Sequence, residues 1–168
     1  VNEMYITAPL GAKTLLKFGK QELQTPLAFT EKWASVNNTF DAAVAINNSI
    51  DNLTLIAAFV GQGNGPTTAL ALNHTGTYAG NTGGTYAVAA LFKNDMLAAN
   101  VWYYDLESAA KAFWIDASGK IGPATVKGIY ASVNPSTVGK TTDAYALSAA
   151  GSVAGVKLFA AYSDVNDG

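Results

Sequence analysis

Apolar residues occupy every second position in about ten short runs of the chain, with no helical pattern between them. Side chains of a β-strand point alternately to opposite faces, so these runs predict β-strands joined as hairpins. In residues 40–47 one face carries Phe40, Ala42, Val44 and Ile46, and the opposite face begins with Asp41. The apolar set is too extensive for one small soluble core. We therefore expect it to face lipid and Asp41 to line the interior.

The predicted strands are bounded by Gly, Pro, Asn or Asp, which favour turns. They cover residues 2–8, 14–21, 40–47, 53–61, 85–92, 97–104, 110–118, 124–132, 143–150 and 156–163. Short connections alternate with mostly longer ones, as is typical of outer-membrane barrels. The chain is therefore predicted to be all-β, a transmembrane antiparallel up-and-down β-barrel of the porin type. Residues 1–168 would belong to a single barrel domain, with about ten strands of a larger barrel present.

Four lysines lie within the predicted strands, namely Lys17, Lys111, Lys127 and Lys157. A lysine facing lipid near the bilayer midplane costs about 2–4 kcal/mol, so all four are expected to point into a water-filled interior. Many presumed inner positions are Ala or Gly, which leave space for that water.

Aromatic residues gather near the strand ends that meet the longer connections: Phe40, Phe59, Tyr86, Tyr103, Tyr130, Tyr145 and Tyr162. This placement favours a ring of aromatic side chains at a membrane interface. The alternative is ordinary packing in a soluble barrel, because aromatic residues are enriched in any strand.

Composition narrows the class of protein further. The chain has 168 residues, of which 49% are hydrophobic and only 13% charged, with a net charge of −2 and no cysteine. The low charge is unusual for a water-exposed surface, and the lack of Lys/Arg clusters argues against nucleic-acid binding. Residues 144–162 come nearest to a membrane-spanning helix, but they contain Lys157 and alternate with period two, which excludes that interpretation.

No sequence pattern in the chain predicts a catalytic site, a phosphate-binding loop or a metal site. His74, the single histidine, lies in a polar loop without a nucleophile motif, and the glycine-rich 61–66 and 139–141 lack the spacing of phosphate-binding loops. Residues 164–168 have the oxygen spacing of half a calcium loop and are interpreted as an ordinary turn. We predict no enzyme and no catalytic, cofactor or metal site.

A longer stretch carries a family resemblance. The run 18–33, followed by 38–44, resembles the Opr-type major outer-membrane porins of epsilon-class proteobacteria, and 55–65, 101–105, 142–146 and 155–163 extend the similarity. The resemblance implies a homotrimeric diffusion porin of the bacterial outer membrane, over twice this length, with lipid, ions and small hydrophilic solutes as partners. The chain begins at Val1 without a leader pattern, so we expect it to be an internal fragment.

In such porins an inward-folded loop narrows the pore, and residues 22–39 are the natural candidate. They carry the charged or polar residues Glu22, Thr25, Glu31 and Lys32, which would act on passing ions together with Lys17. The alternative is that Leu23, Leu27, Phe29 and Trp33 only pack this loop against the wall. The ion preference does not follow, because the lysines and the loop carboxylates have opposite effects.

Three functions remain open from the sequence. The first is an outer-membrane porin for passive diffusion of ions and small hydrophilic solutes. The second is an outer-membrane adhesion or surface-binding barrel without an open pore, which large inner side chains would plug; a porin needs about 16 or more strands. The third is a soluble sandwich or lipocalin-like binder, which the low charge disfavours.

Overall fold

A computed structural model describes residues 2–11, 13–30, 32, 37–63, 84–107, 109–136 and 139–167. These residues form ten strands. They are β1 (Met4–Leu10), β2 (Thr14–Gln21), β3 (Phe40–Ile50), β4 (Leu53–Gly63), β5 (Thr85–Lys93), β6 (Leu97–Leu106), β7 (Ala110–Ile121), β8 (Ala124–Pro135), β9 (Thr142–Val153) and β10 (Val156–Asp167). None of the described residues belongs to a helix of the length and hydropathy needed to cross a membrane.

Each strand pairs antiparallel with the next along the chain, in one sheet ordered β1 to β10. The up-and-down prediction is confirmed. One end of the sheet has only short turns, whereas the other end has the connections 22–39, 64–84, 107–109 and 136–141, of which 107–109 is as short as the turn 11–13. Most strands run two to four residues further than predicted at one end. In β3, β7 and β9 the extension has a local cause, because a two-residue turn keeps the ladder paired up to the hairpin. β4, β6, β8 and β10 extend at the opposite end of the sheet. At the turn between β9 and β10, Ala154 and Gly155 both have positive φ, 50° and 81°.

β10 extends to Asp167, which pairs with Thr142 of β9. Asp164 and Asn166 therefore lie in a paired strand, and the predicted turn at 164–168 is wrong over the described residues. Alternating side chains within an extended strand do not converge on one point as calcium-loop ligands do.

The register assigns every strand residue to one of two faces, because directly paired residues share a face. One row runs through Thr7, Lys17, Val44, Ala58, Ala87, Tyr104, Ala112, Val133 and Thr142. The segment 22–30 lies against this face in β2–β6, and we call it the covered face. The opposite face, with Leu16, Ala45, Ala57, Val88 and Val101, is called the open face.

The buried core lies between the segment 22–30 and the covered face. Leu23 packs there with Phe40, Val44, Val60, Trp102 and Tyr104. On the open face, by contrast, large apolar side chains of nearly every strand are exposed, among them Ile6, Phe18, Leu55, Val88, Val101, Ile115, Leu147 and Leu158.

The predicted orientation of β3 is inverted. Phe40, Ala42, Val44 and Ile46 lie on the covered face, while Asp41 shares the open face with Phe18 and Phe59. Both faces of β3 are largely apolar, since Ala43 and Ala45 follow Asp41. Alternation alone therefore could not indicate which of the two faces is turned outward.

Candidate functional site

The segment after β2 folds into a small closed turn. The amide of Thr30 donates to the carbonyl of Leu23 at 2.8 Å, and the amide of Leu23 donates to Thr30 Oγ1 at 3.1 Å. Thr25 Oγ1 donates to the carbonyl of Ala28 at 2.8 Å and accepts from its amide at 3.0 Å. Gln24 and Phe29 form an isolated bridge. These bonds satisfy the backbone without a sheet partner, so the segment keeps its own shape against the wall.

Side chains fix this segment at its base. Gln21, 1% exposed, donates from Nε2 to the carbonyl of Ala42 at 3.0 Å. Glu22 forms an ion pair with Lys32 at 2.7 Å and accepts from Asn37 Nδ2 at 2.8 Å. The hydrogen bond from Lys32, then that from Asn37, holds the pKa of the Glu22 carboxyl below its ordinary value. The charged form of Glu22 is thus the one that makes these two contacts, which join the start of the segment to Lys32 and Asn37.

A cavity of about 270 Å³ remains between the segment and the sheet. Its lining combines the segment residues Leu23, Thr25 and Ala28 with sheet residues such as Val44, Ile56, Ala58, Thr85, Ala87, Trp102 and Tyr104. Trp102 and Tyr104 stack with ring centroids 5.8 Å apart and planes 11° from parallel. Lys17 and Glu22 contribute charge to an otherwise mostly apolar boundary.

Beyond β6 the covered face carries many small and polar side chains, although Trp114, Ile129 and Phe159 also lie on it. Ala131, Ala144, Ala146, Ser148, Ala150, Ala161 and Ser163 occupy it in β8–β10. Asp116 accepts hydrogen bonds from Asn100 Nδ2 at 3.0 Å and Trp114 Nε1 at 2.9 Å. Lys127 pairs in register with Ser118 and Ser148. This part of the face can therefore present hydrogen-bonding groups and charge to water.

The structure brings together several of the predicted lining residues and separates others. Lys17, Lys127 and Lys157 lie on the covered face, with Lys17 Nζ 3.7 Å from the centroid of the Tyr5 ring. Glu22, Thr25 and Lys32 lie in or beside the folded segment. Glu31 and His74 lie outside the described residues.

Asp41 and Lys111 differ from the prediction, because both lie on the open face. Asp41 pairs with Lys20 at 3.1 Å and accepts from Gln62 Nε2 at 2.6 Å. Lys111 lies opposite Asp105, with their charged atoms 4.0 Å apart. Both are the second residue of a strand, at the end of the sheet that also carries the long connections 22–39 and 64–84. A charge at that depth can reach water from the outer side, so an inward orientation is not required.

Of the residues predicted to form a belt of aromatic side chains at the membrane interface, one is wrongly included. Phe40 is buried under the segment at 5% exposure. The other predicted members are exposed on the open face. Neighbouring pairs approach each other, with centroid distances of 5.0 Å for Phe59–Tyr86 and 6.1 Å for Tyr145–Tyr162.

Sequence reasoning missed Asp116, Gln21, Thr85 and Trp102. Asp116 had a usable signal, since it is a carboxylate inside an alternating run with the same parity as Trp114. Gln21, Thr85 and Trp102 acquire their roles from the segment 22–30, which only the folded chain places against them.

Comparison with known proteins gives fold-level matches. No family model matches the chain. No curated protein matches it either. Among solved structures, Pseudomonas aeruginosa OccK5 (OpdH) superposes with a TM-score of 0.77 at 17% identity, covering 97% of this chain and 48% of that one. OccK8 (OprE) gives 0.74 at 13% identity, covering 97% and 50%. The outer membrane protein opdK gives 0.75 at 11% identity, covering 97% and 47%.

These likenesses concern the arrangement of strands, since the identities are low. The chain spans about half the length of the solved chains it matches. Its ten antiparallel strands in one sheet agree with that comparison. The described chain therefore has the fold of part of an outer-membrane porin barrel.

Proposed function

We propose that this chain is part of a single porin barrel domain in the bacterial outer membrane, where the barrel forms a water-filled channel for ions and small hydrophilic solutes. One observation carries the proposal. On the open face, the charged strand residues lie near the long-connection ends: Lys20, Asp41, Asp105, Lys111, Asp143 and Asp164. Exposed aromatic residues lie next to them, and apolar side chains fill the rest of the face.

This order of charge, aromatic ring and apolar band matches the change from water through the interface to hydrocarbon. β6–β10 are 10 to 12 residues long, enough to cross the hydrocarbon layer as tilted strands. The covered face carries Lys17, Lys127 and Lys157, which gain hydration if that face lines water. The segment 22–30 would then narrow the channel over β2–β6 and leave β7–β10 as its wetted wall.

The test is single-channel recording of the protein that contains this chain, reconstituted in planar bilayers under a salt gradient. Discrete, long-lived conductance steps are expected. Lys127→Gln should shift the reversal potential toward cation preference, because it removes a positive charge from the channel wall. The matched control, Lys111→Gln on the open face, should leave the reversal potential unchanged.

Silent bilayers containing correctly folded, heat-modifiable protein would contradict the channel and favour the surface-binding barrel. That second function has one observation in its support: Trp102, Tyr104 and Trp114 place large rings on the covered face. The homotrimer and the relationship to the epsilon-class porins, both implied by the sequence resemblance, stay predictions. Chemical cross-linking in native membranes would test the trimer.

A further inference from the structure

The open face of β2–β5 contains a groove of about 300 Å³ between large side chains. Its floor consists of Ala43, Ala45 and Ala57, which are neighbours across the paired strands β3 and β4. Larger side chains form the two walls: Leu16 and Phe18 of β2 on one side, and Phe59, Tyr86 and Val88 of β4 and β5 on the other. The groove therefore interrupts the otherwise bulky apolar surface of the open face.

The groove runs along the strands. Ala43 and Ala45 are successive residues on one face of β3, so they lie about 7 Å apart in the strand direction. An acyl chain can lie along such a groove with methylene groups against the alanines. Because lipid tails are as apolar as the groove, the chain gains van der Waals contact rather than removal from water. Selection of one lipid over another must therefore come from its headgroup.

A polar cluster lies at one end of the groove, on the same face. Lys20 follows Phe18 by two residues, and Asp41 precedes Ala43 by two residues. Lys20 Nζ is 3.1 Å from Asp41 Oδ1, and Gln62 Nε2 donates to Asp41 Oδ2 at 2.6 Å. This is the end of the sheet that carries the long connections 22–39 and 64–84.

The cluster can bind more than its own members. The Lys20 ammonium has three donors, and its contact with Asp41 uses one of them. The Lys20 side chain is 30% exposed, and Gln62 is exposed as well. Gln62 donates to Asp41 through its amide nitrogen, so its amide oxygen is available in kind to accept from a hydroxyl or amide group. A cationic donor beside an exposed acceptor suits a phosphate on a headgroup that also carries hydroxyl or amide groups.

We propose that the groove and the polar cluster together bind one phosphate-bearing lipid of the outer leaflet. Lys20 binds a phosphate oxygen, Gln62 contacts a neighbouring hydroxyl or amide of the headgroup, and one acyl chain lies on Ala43, Ala45 and Ala57. The site goes beyond the proposed function. It rests on that function for its orientation, because long connections of outer-membrane barrels face the outside.

The site can be tested by native mass spectrometry of the folded protein that contains this chain, titrated in detergent micelles with lipid A, a diphosphorylated glycolipid. We expect the parent protein to retain one lipid more tightly than any further ones. Lys20→Gln should weaken retention of that lipid by about tenfold, because it removes the charged donor.

Lys111→Gln is the matched control for the charge. Lys111 is also an open-face lysine beside an aspartate, with its Nζ 4.0 Å from Asp105 Oδ2. The next open-face positions of its strand, however, hold Phe113 and Ile115 instead of alanines. Lys111→Gln should therefore retain the lipid as the parent protein does.

Asp41→Asn distinguishes a binding role of Lys20 from a structural one. It removes the carboxylate that competes with phosphate for the Lys20 ammonium, so it should strengthen retention by about threefold or more. If the Lys20–Asp41 pair only stabilised the sheet, Asp41→Asn and Lys20→Gln would change retention in the same direction. That result would overturn the proposal.

Ala45→Leu fills the groove and should weaken retention by about tenfold. Ala117→Leu is its control, because Ala117 is exposed on the open face of β7, outside the groove. If Ala45→Leu does not fold, Ala57→Val tests the same groove with a smaller addition. Equal retention by the parent protein, Lys20→Gln and the groove variant would overturn the site. Loss of an oligomer in the groove variant, with lipid retention unchanged, would also overturn it and assign the groove to a second copy of the protein.

Current recording separates this site from the proposed function. Conducting channels whose lipid retention does not depend on Lys20 or on the groove would overturn the site and leave the channel intact. Retention that depends on both, in a protein that conducts no current, would contradict the channel and leave the site intact.

Discussion

The covered face differs between its two halves, although the same alternating pattern builds both. In β2–β6 it carries Val44, Ile56, Val60 and Trp102, which are largely shielded beneath the segment 22–30. In β8–β10 it carries mostly Ala, Ser and Thr, with Lys127 among them. The open face is apolar in both halves. The character of an inner position is therefore set by what lies against it, and the segment converts part of a wettable wall into a core.

The largest expected effect is a difference in stability between two variants, each of which places one lysine in a different half of the covered face. Ala87 and Ala144 are each the third residue of a strand that follows a long connection. Ala87→Lys buries an unpaired ammonium under the segment and should reduce the free energy of unfolding by about 3–5 kcal/mol. Ala144→Lys projects toward water and should change it little. Urea unfolding in lipid vesicles measures the free energy of unfolding of both variants. An equal decrease in the two would contradict the difference between the halves.

A smaller effect is expected from two glycines. Gly19, in the covered half, has φ +118°, and a Cβ there would clash with the carbonyl oxygen of Met4. Gly19→Ala should cost about 1–3 kcal/mol through backbone strain, with the clash adding to it. Gly119, in β7, would place its Cβ 3.5 Å from the nearest atom, an ordinary contact.

Gly119→Ala is therefore the control and should be nearly neutral. Thermal unfolding followed by circular dichroism compares the two variants. If Gly19→Ala is as stable as the parent protein, the close pairing of β1 with β2 at Met4 is incorrect.

The smallest effect concerns the ion pair at the base of the segment. The pKa of Glu22 is lowered, so its contribution is fully present above the ordinary value of 4.5 and is lost as pH falls through the lowered pKa. Amide hydrogen exchange at Leu23 and Thr30 should accelerate across that acid transition in the parent protein. Glu22→Gln should remove the transition, whereas the exposed Glu107→Gln should retain it. A transition that persists in Glu22→Gln would assign the pH dependence to another group.

Much of the fold was predictable because its determinants are local. The β2 boundaries were predicted at both ends, and Thr14 closely follows the turn residue Gly11. The faces of β4 and β10 followed from alternation between large apolar and smaller or polar residues. Alternation failed in β3, where both faces are apolar. The argument from the cost of a charge in lipid failed at Lys111, because Lys111 is the second residue of β7 and lies far from the bilayer midplane.

The candidate site was predictable only in part. Lys17, Lys127 and Lys157 could be placed on the inner side because a charge in lipid is costly. Gln21, Thr85 and Trp102 could not, because their environment depends on a segment that follows β2 yet packs over β3–β6.

The sequence by itself determined that the chain forms antiparallel hairpins with one continuous apolar face, because a period of two constrains each strand independently of its neighbours. The tertiary structure alone decided which apolar face is covered and where the cavity lies. It also decided which charged side chains lie on the open face near the strand ends. Those properties depend on contacts between residues distant in sequence and on the register of ten strands, in which a one-residue slip would exchange the two faces.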